Sequence, residues 1–311
     1  MSFNKLFTSR RLWVLLLLIG FSPALNGCFI KSMAVNSVAD GLAGQGDTFS
    51  SDNDPQLIKE AVPFSLKFME SILAATPRHT ELLGALCKNF TEYTYAYVQC
   101  EADYIADSNY TQARELRVRA KKLYQRAYEY GLRGLETRHD HFAQMIMTDP
   151  KAAVSKLNKD DADLMYWTGV AWMAAISIGK DDPELVSDVP QAEALIYKAE
   201  ELVPDYDNGS LQEFLITYES GKPTLMGGDM KRVKKHYDKA LELTKGMSAA
   251  TYVNYAEGYD LKQQNREEFE ENLNKALDID VDQVKSLRLV NLIEQKRARW
   301  LLSRADTLFV K

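Results

Sequence analysis

The stretch DDPELVSDVPQAEALIYKAEELVPDYDNG, residues 181–209, decides how this chain folds. Asp182-Pro183 reads as a helix start, a side-chain acceptor for unpaired backbone N–H groups followed by a ring whose φ is already helical. Pro190 opens a second helix, along which Ala192, Leu195, Ile196, Ala199 and Leu202 keep helical spacing. Pro204 cannot continue that helix, and Asp207-Asn208-Gly209 is a turn into the next one.

Ala192, Ile196 and Pro204 are spaced as the second half of a tetratricopeptide repeat, in which a small residue lets two helices approach and proline ends the unit. The spacing recurs. Ala120, Tyr124 and Ala127 precede Leu132, and Val233, Tyr237 and Ala240 precede Lys245. Phe269, Leu273 and Ala276 precede Val281, and Ser65, Met69 and Ile72 precede Pro77. The intervals are irregular and exceed the roughly 34 residues of a regular repeat, so the repeats are degenerate and carry insertions. The expected fold is all-α, a superhelix of tetratricopeptide-like helical hairpins over residues 55–311.

Composition agrees. The chain has 311 residues, 46% of them hydrophobic, enough for a sizeable core. Sustained period-two alternation, the mark of strands, is absent from the sequence. Net charge is −6. Lys5, Arg10 and Arg11 are the only charged residues before Cys28, so a chain starting at Cys28 carries −9 instead. An acidic surface without a basic stripe argues against nucleic acid as a partner.

The first residues have the layout of a secretory signal: a basic start, an apolar run from Leu12 to Phe21, then a break at Ser22-Pro23. The run is shorter than the ~20 residues a membrane span takes. Leu25-Asn26-Gly27-Cys28 resembles a bacterial lipobox, which makes residues 1–27 a lipoprotein signal peptide and Cys28 the lipid-attachment residue. The covalent diacylglycerol and N-acyl lipid on Cys28 is the only attached group expected. Phe29 rather than aspartate follows, favouring the periplasmic face of the outer membrane over the inner. Residues 28–54, with several glycines and serines, read as a flexible tether with a short helix near Met33–Leu42.

Beyond it the expected hairpins are a helix from about Arg78 to Ala106 with one from Thr111 to Gly134, then 161–178 with 190–203, 209–220 with 229–244, and 248–261 with 265–279. A helix at Val284–Phe309 is expected to cap the stack. Residues 161–178 are apolar almost all round, as in a buried central helix. Cys87 and Cys100, 13 residues apart on one helix, sit ~20 Å apart and cannot bridge, so two buried thiols are expected.

No catalytic constellation stands out: HExxH, CxxC, GxSxG and phosphate-loop motifs are all missing, so an enzyme is not expected. His139 and His141, two residues apart, point different ways on a helix and fit a loop-to-helix junction better than a metal site. Asp181, Asp182 and Glu184 are explained by capping. Tyr93, Tyr97 and Tyr104 read as core, with the lining of an apolar channel as the second reading. Arg297, Arg299 and Arg304 read as solvated or paired with acidic loops.

What remains is a surface. In a tetratricopeptide pair the first helix lines the concave groove through its second, fifth, ninth and twelfth positions. With Ala162, Asn208 and Ala249 as first positions, the groove includes Tyr166, Val170 and Met173; Gln212, Ile216 and Glu219; and Val253 and Glu257. Apolar and acidic groups mixed in this way suit a peptide or a ligand passage.

Several stretches together resemble one family: DNDPQLIKEAVPFSLKFMESILAATP (52–77), YWTGVAWMAAIS (166–177), KDDPELVSDVPQAEALIYKAEELVPDYDNGSLQEF (180–214), NREEFEENLNKALDID (265–280) and NLIEQKRARWLLSRADTLF (291–309). They are similar, in the same order, to the TatT family, the T-component lipoproteins of TRAP transporters. The resemblance implies an all-α periplasmic lipoprotein, a homotrimer with an internal pore, and association with the TRAP periplasmic substrate-binding protein. It further implies help in delivering a hydrophobic organic acid. The competing expectation is a repeat scaffold for outer-membrane assembly, a monomer with a groove for extended peptide.

Overall fold

The computed structural model describes residues 35–44 and 46–309. The expected signal peptide, the lipobox and Cys28 lie outside them. The described residues form helices joined by turns and short links, without strands. Six helices start on an Asp or Asn side chain that accepts from backbone N–H groups in the first turn: Asp54, Asn109, Asp149, Asp182, Asp229 and Asn265. Three of those caps are followed by proline, as the sequence suggests.

Helix α1 (35–43) and α2 (Gly46–Ser50) precede α3 (Pro55–Ala75). Helix α4 runs as Thr80–Thr94, a π-turn Tyr95–Gln99 and Cys100–Ile105, and pairs with α5 (Tyr110–Arg138). Two short helices follow, α6 (Phe142–Thr148) and α7 (Pro150–Val154). Helix α8 (Ala162–Ile178) pairs with α10 (Val189–Leu202) across the short α9 (Pro183–Ser187). Then α11 (Ser210–Gly221) pairs with α12 (Met230–Thr244). Helix α13, Ala249–Tyr255 with a π-turn Ala256–Asp260, pairs with α14 (Arg266–Asp278). The chain ends in α15 (Arg288–Ser303) and α16 (Ala305–Leu308). Each of the four expected hairpins is present.

The core runs from α3 to α11, with α8 at its centre, packed against α5 on one side and α10 on the other. Eleven of its 17 residues are buried, which accounts for its lack of a polar face. Glycines set the spacing. A Cβ on Gly131 of α5 would sit 2.9 Å from Thr168 Cβ, and one on Gly169 of α8 would sit 2.7 Å from Ile196 Cδ1. Cys87 and Cys100 are free and buried.

Two elements depart from expectation. The segment read as a tether is packed against the body from residue 35: Ala39 is fully buried, Phe49 packs on the core, and Arg288 donates to Ser51 O at 2.9 Å. Helix α15 covers the last repeat as expected, through Ala298 and Leu301 against Phe269, Leu273 and Ala276. It also reaches back to α2 and α3 at the other end of the stack. Tyr104 stacks edge-on to Trp300 with ring centroids 5.3 Å apart, and Arg304 meets Asp107 at 3.0 Å. The last helix thus bridges the first and last repeats.

Candidate functional site

Helix α15 lies across the hairpins and forms one side of the space between them. The result is a cavity of about 1480 Å³, walled by α4, α8, α11, α13 and α15. That exceeds the ~300–1,000 Å³ of ordinary small-ligand pockets, and a cavity with a largely apolar wall suits a sizeable apolar ligand.

Helix α8 supplies Tyr166, Val170 and Met173, the three positions expected from repeat spacing. Their helix starts at Ala162 as counted, so the register holds. Glu257 of α13 also faces the cavity, together with Ala250 and Asn254. The other four expected positions do not. Gln212 is buried, donating to Pro204 O at 2.7 Å and bonded to His236 Nδ1 at 2.8 Å. Ile216 lies in the core with Val233 and Tyr237, and Val253 lies in the core with Phe269. Glu219 is fully buried, accepting from Arg232 at 2.6 Å and from Tyr197 at 2.7 Å.

The error on α11 has a local cause. Asp207 (φ 47°), Asn208 (φ 51°) and Gly209 (φ 122°) take positive φ, so the helix starts at Ser210 and not at Asn208. Counted from Ser210, the fifth, ninth and twelfth positions move two residues on, to Phe214, Tyr218 and Gly221, all of which line the cavity. Glu213 and Thr217 line it beside them. Phe214 and Tyr218 stack in parallel, four residues apart, a spacing visible in the sequence. Tyr93 and Tyr97, read as core, also reach the cavity.

The fifth wall is α15, which repeat counting could not supply. Leu289, Ile293 and Arg297 form a stripe four residues apart, on the side away from the Ala298–Leu301 contact. Opposite this stripe lie two π-turns, in α4 and α13. Each inserts one residue per turn and so re-aims a side chain. The first presents Tyr95, whose hydroxyl donates to Glu294 Oε1 at 3.0 Å. The second presents Glu257, which holds Arg297 through two hydrogen bonds of 2.6 and 2.8 Å. Arg297 also lies 3.5 Å from Asp103 Oδ2. Of the three C-terminal arginines, Arg297 and Arg304 are paired with acidic groups, while Arg299 is exposed.

The cavity's charges are not evenly spread. Burial pushes the carboxyl of Glu294 up to about 7, against the pull of Arg297, and its Oε2 is buried without a partner. Glu92 is half exposed, and it lines the cavity; enclosure, and Asp207 nearby, raise its carboxyl above the ordinary range. Glu213 is raised for the same reasons, although Thr251 donates to it at 2.5 Å. These acids surround Tyr166, whose hydroxyl donates to Ser210 O at 3.1 Å.

Other polar clusters reduce to structure. His139 bonds Asp161 Oδ2 at 2.9 Å, while His141 sits at the N-terminus of α6 with φ 63°, so the two diverge as expected. Asp182 caps α9 and pairs with Lys121 at 3.3 Å. Among the described residues, Asp40, His79 and Glu81 lie close enough to hold a metal ion. However, His79 Nδ1 already accepts from Leu82 N at the start of α4, which leaves one ring nitrogen and two exposed carboxylates. Among the described residues, no helix is long and apolar enough to cross a membrane.

Comparison with known proteins agrees with this architecture. A family model, TAtT, described as TRAP transporter T-component, matches residues 51–309. The chain is also similar to an uncharacterised protein of Treponema pallidum (strain Nichols). The two are 26% identical over 302 residues, spanning 91% of this chain and 94% of the relative.

Proposed function

Because the chain belongs to the TRAP transporter T-component family, we propose that it is the accessory subunit of a TRAP-type uptake system, working without chemistry of its own. Family membership implies association with transporter components, and the direct partner we assign is the periplasmic substrate-binding protein. In this reading the chain is exported, carries its lipid on Cys28, and stands on the periplasmic face of the outer membrane. It assembles as a homotrimer whose internal pore passes a hydrophobic organic acid to or from that partner.

The observation that carries the reading is the cavity. Its aromatic and aliphatic wall can shelter an apolar molecule, and nothing lining it resembles a nucleophile activated by a base. The competing reading, a scaffold holding extended peptide in an open groove, is less well supported, because α15 occupies the concave side. A scaffold would instead need exposed main-chain edges or a continuous groove.

The test is a pull-down from periplasmic extract with the chain starting at residue 28 and carrying Cys28→Ala, with light scattering on the same sample. Near-stoichiometric recovery of a solute-binding receptor, and a trimer mass, are the expected results. Recovery of barrel-assembly factors by a monomer would overturn the transport reading and leave the fold untouched.

A further inference from the structure

One end of the cavity carries two exposed lysines without an ion pair among the described residues. Helices α8, α11 and α13 line the cavity and each is followed within two residues by a lysine that also lines it: Lys180, Lys222 and Lys262. Lys222 is accounted for. It pairs with Glu193 of α10 and sits 5.6 and 5.7 Å over the rings of Tyr197 and Tyr218. Lys262 has only the main-chain oxygen of Ser220, and Lys180 has no ion pair among the described residues. The two are close enough for Lys180, together with burial, to weaken the hold of Lys262 on its proton. Three ammonium groups thus share one carboxylate.

The opposite end is richer in carboxylates. Glu92, Asp207 and Glu213 gather there around Tyr166, which lies 14 residues before Lys180 on α8 and its extension; Lys88 sits 3.9 Å from Glu92, and Lys245 also lines the cavity. From Glu213 to Lys222 along α11 is nine residues, about 13 Å at 1.5 Å per residue. Between the two ends the wall is apolar, built from Val170, Met173 and Phe214 on one side and Leu289 and Ile293 on the other. An anion is attracted to the first end, where both lysines are exposed and salt screens the attraction beyond roughly 10 Å.

We propose that Lys180 and Lys262 form a subsite for the carboxylate of an amphipathic ligand, whose apolar body lies along the α8 and α15 walls toward Tyr166. The inference rests on reading the cavity as a ligand passage, and it adds the orientation of the ligand and the two residues that hold its head. Lys222, already matched by Glu193, serves the wall.

Calorimetry with the Cys28→Ala chain starting at residue 28, which retains every described residue, tests it with decanoate and decanol as probes. At pH 7.5 decanoate is expected to bind at least about tenfold more tightly than decanol, since a hydrogen bond to a charged group contributes ~1.5 kcal/mol or more. The Lys180→Met/Lys262→Met variant removes that preference and leaves decanol affinity in place. Glu213→Gln, at the other end, leaves the preference intact. Equal affinities in the unaltered protein, or a preference that survives the double substitution, overturn the subsite. If neither probe binds while the receptor is still captured in the pull-down, the subsite falls and the transporter reading stands. Should the double variant melt early, Lys180→Gln alone, at an exposed residue, is expected to reduce the preference by itself.

Discussion

Arg297 and Glu257 form a two-point ion pair inside the protein, with Nε 2.6 Å from Oε2 and Nη2 2.8 Å from Oε1. Forty residues apart in the chain, they join the final helix to the π-turn of α13, and Asp103 brings the end of α4 to the same guanidinium. The planar fork of arginine matches the carboxylate edge and holds it in one orientation. This contact, with Tyr104–Trp300 and Arg304–Asp107, holds the last helix against the end of α4, beside the cavity.

Removing the guanidinium tests that role. Arg297→Ala leaves Glu257 without its cation in a mostly buried setting, while Asp103 keeps Arg117 at 3.3 Å; breaking a buried pair by removing one partner costs about 3–5 kcal/mol. Urea unfolding is expected to show a loss of that size. Arg297→Lys recovers only part of it, because a point charge cannot make both hydrogen bonds.

Glu294 gives the protein a pH dependence of definite sign. Its carboxyl is held near 7 in the fold, against 4.5 as the ordinary value, so between those limits the folded state keeps a proton that the unfolded chain releases. Stability from this group is therefore complete below about 4.5 and falls as pH rises to about 7, by up to ~1.4 kcal/mol per pH unit. Glu294→Gln is expected to flatten the stability profile across that window. A slope unchanged by the substitution would refute the assignment.

Filling the cavity separates binding from folding. Thr217 is exposed and faces the cavity from α11, so Thr217→Trp places a ring there without entering the packed core. Decanoate binding is expected to weaken at least about tenfold, with unfolding free energy within about 0.5 kcal/mol of the unaltered protein. Unaltered binding would place the ligand elsewhere.

Two glycines of neighbouring helices should respond differently to a methyl group. In Gly131→Ala the new Cβ overlaps Thr168 Oγ1 and sits 3.0 Å from Cys87 Sγ, which forces α5 away from α8 and costs about 1–3 kcal/mol. In Gly84→Ala the nearest atom is Leu164 Cδ2 at 3.4 Å, an ordinary contact, and helix propensity favours alanine. Thermal melting of the two variants is expected to show a clear loss for the first and little or none for the second.

The sequence carried the helices and their pairing because both depend on short-range patterns. Asp54-Pro55, Asp149-Pro150 and Asp182-Pro183 start helices wherever they stand, and Ala192 with Ile196 marks a close-packed face regardless of what lies beyond. The same reasoning put Tyr166, Val170 and Met173 on the face that lines the cavity, since α8 begins where the apolar run begins. It failed one hairpin later, where three consecutive positive-φ residues delay α11 and rotate Gln212, Ile216 and Glu219 into the core. Asp207-Asn208-Gly209 announces a turn, but its side chains do not state how many residues the turn consumes.

Alone, then, the sequence determined an all-α repeat chain, its hairpin boundaries to within a few residues, and the buried centre at α8. Only the tertiary structure decided that α15 forms one wall of the cavity and what charges face it. Helix α15 presents Ala298 and Leu301 to the last repeat on one side and Leu289, Ile293 and Arg297 to the cavity on the other. Which side meets which partner depends on the curvature summed over all the hairpins, and on two π-turns that re-aim Tyr95 and Glu257. Small rotations at each hairpin add up along the stack, and no local spacing records their sum.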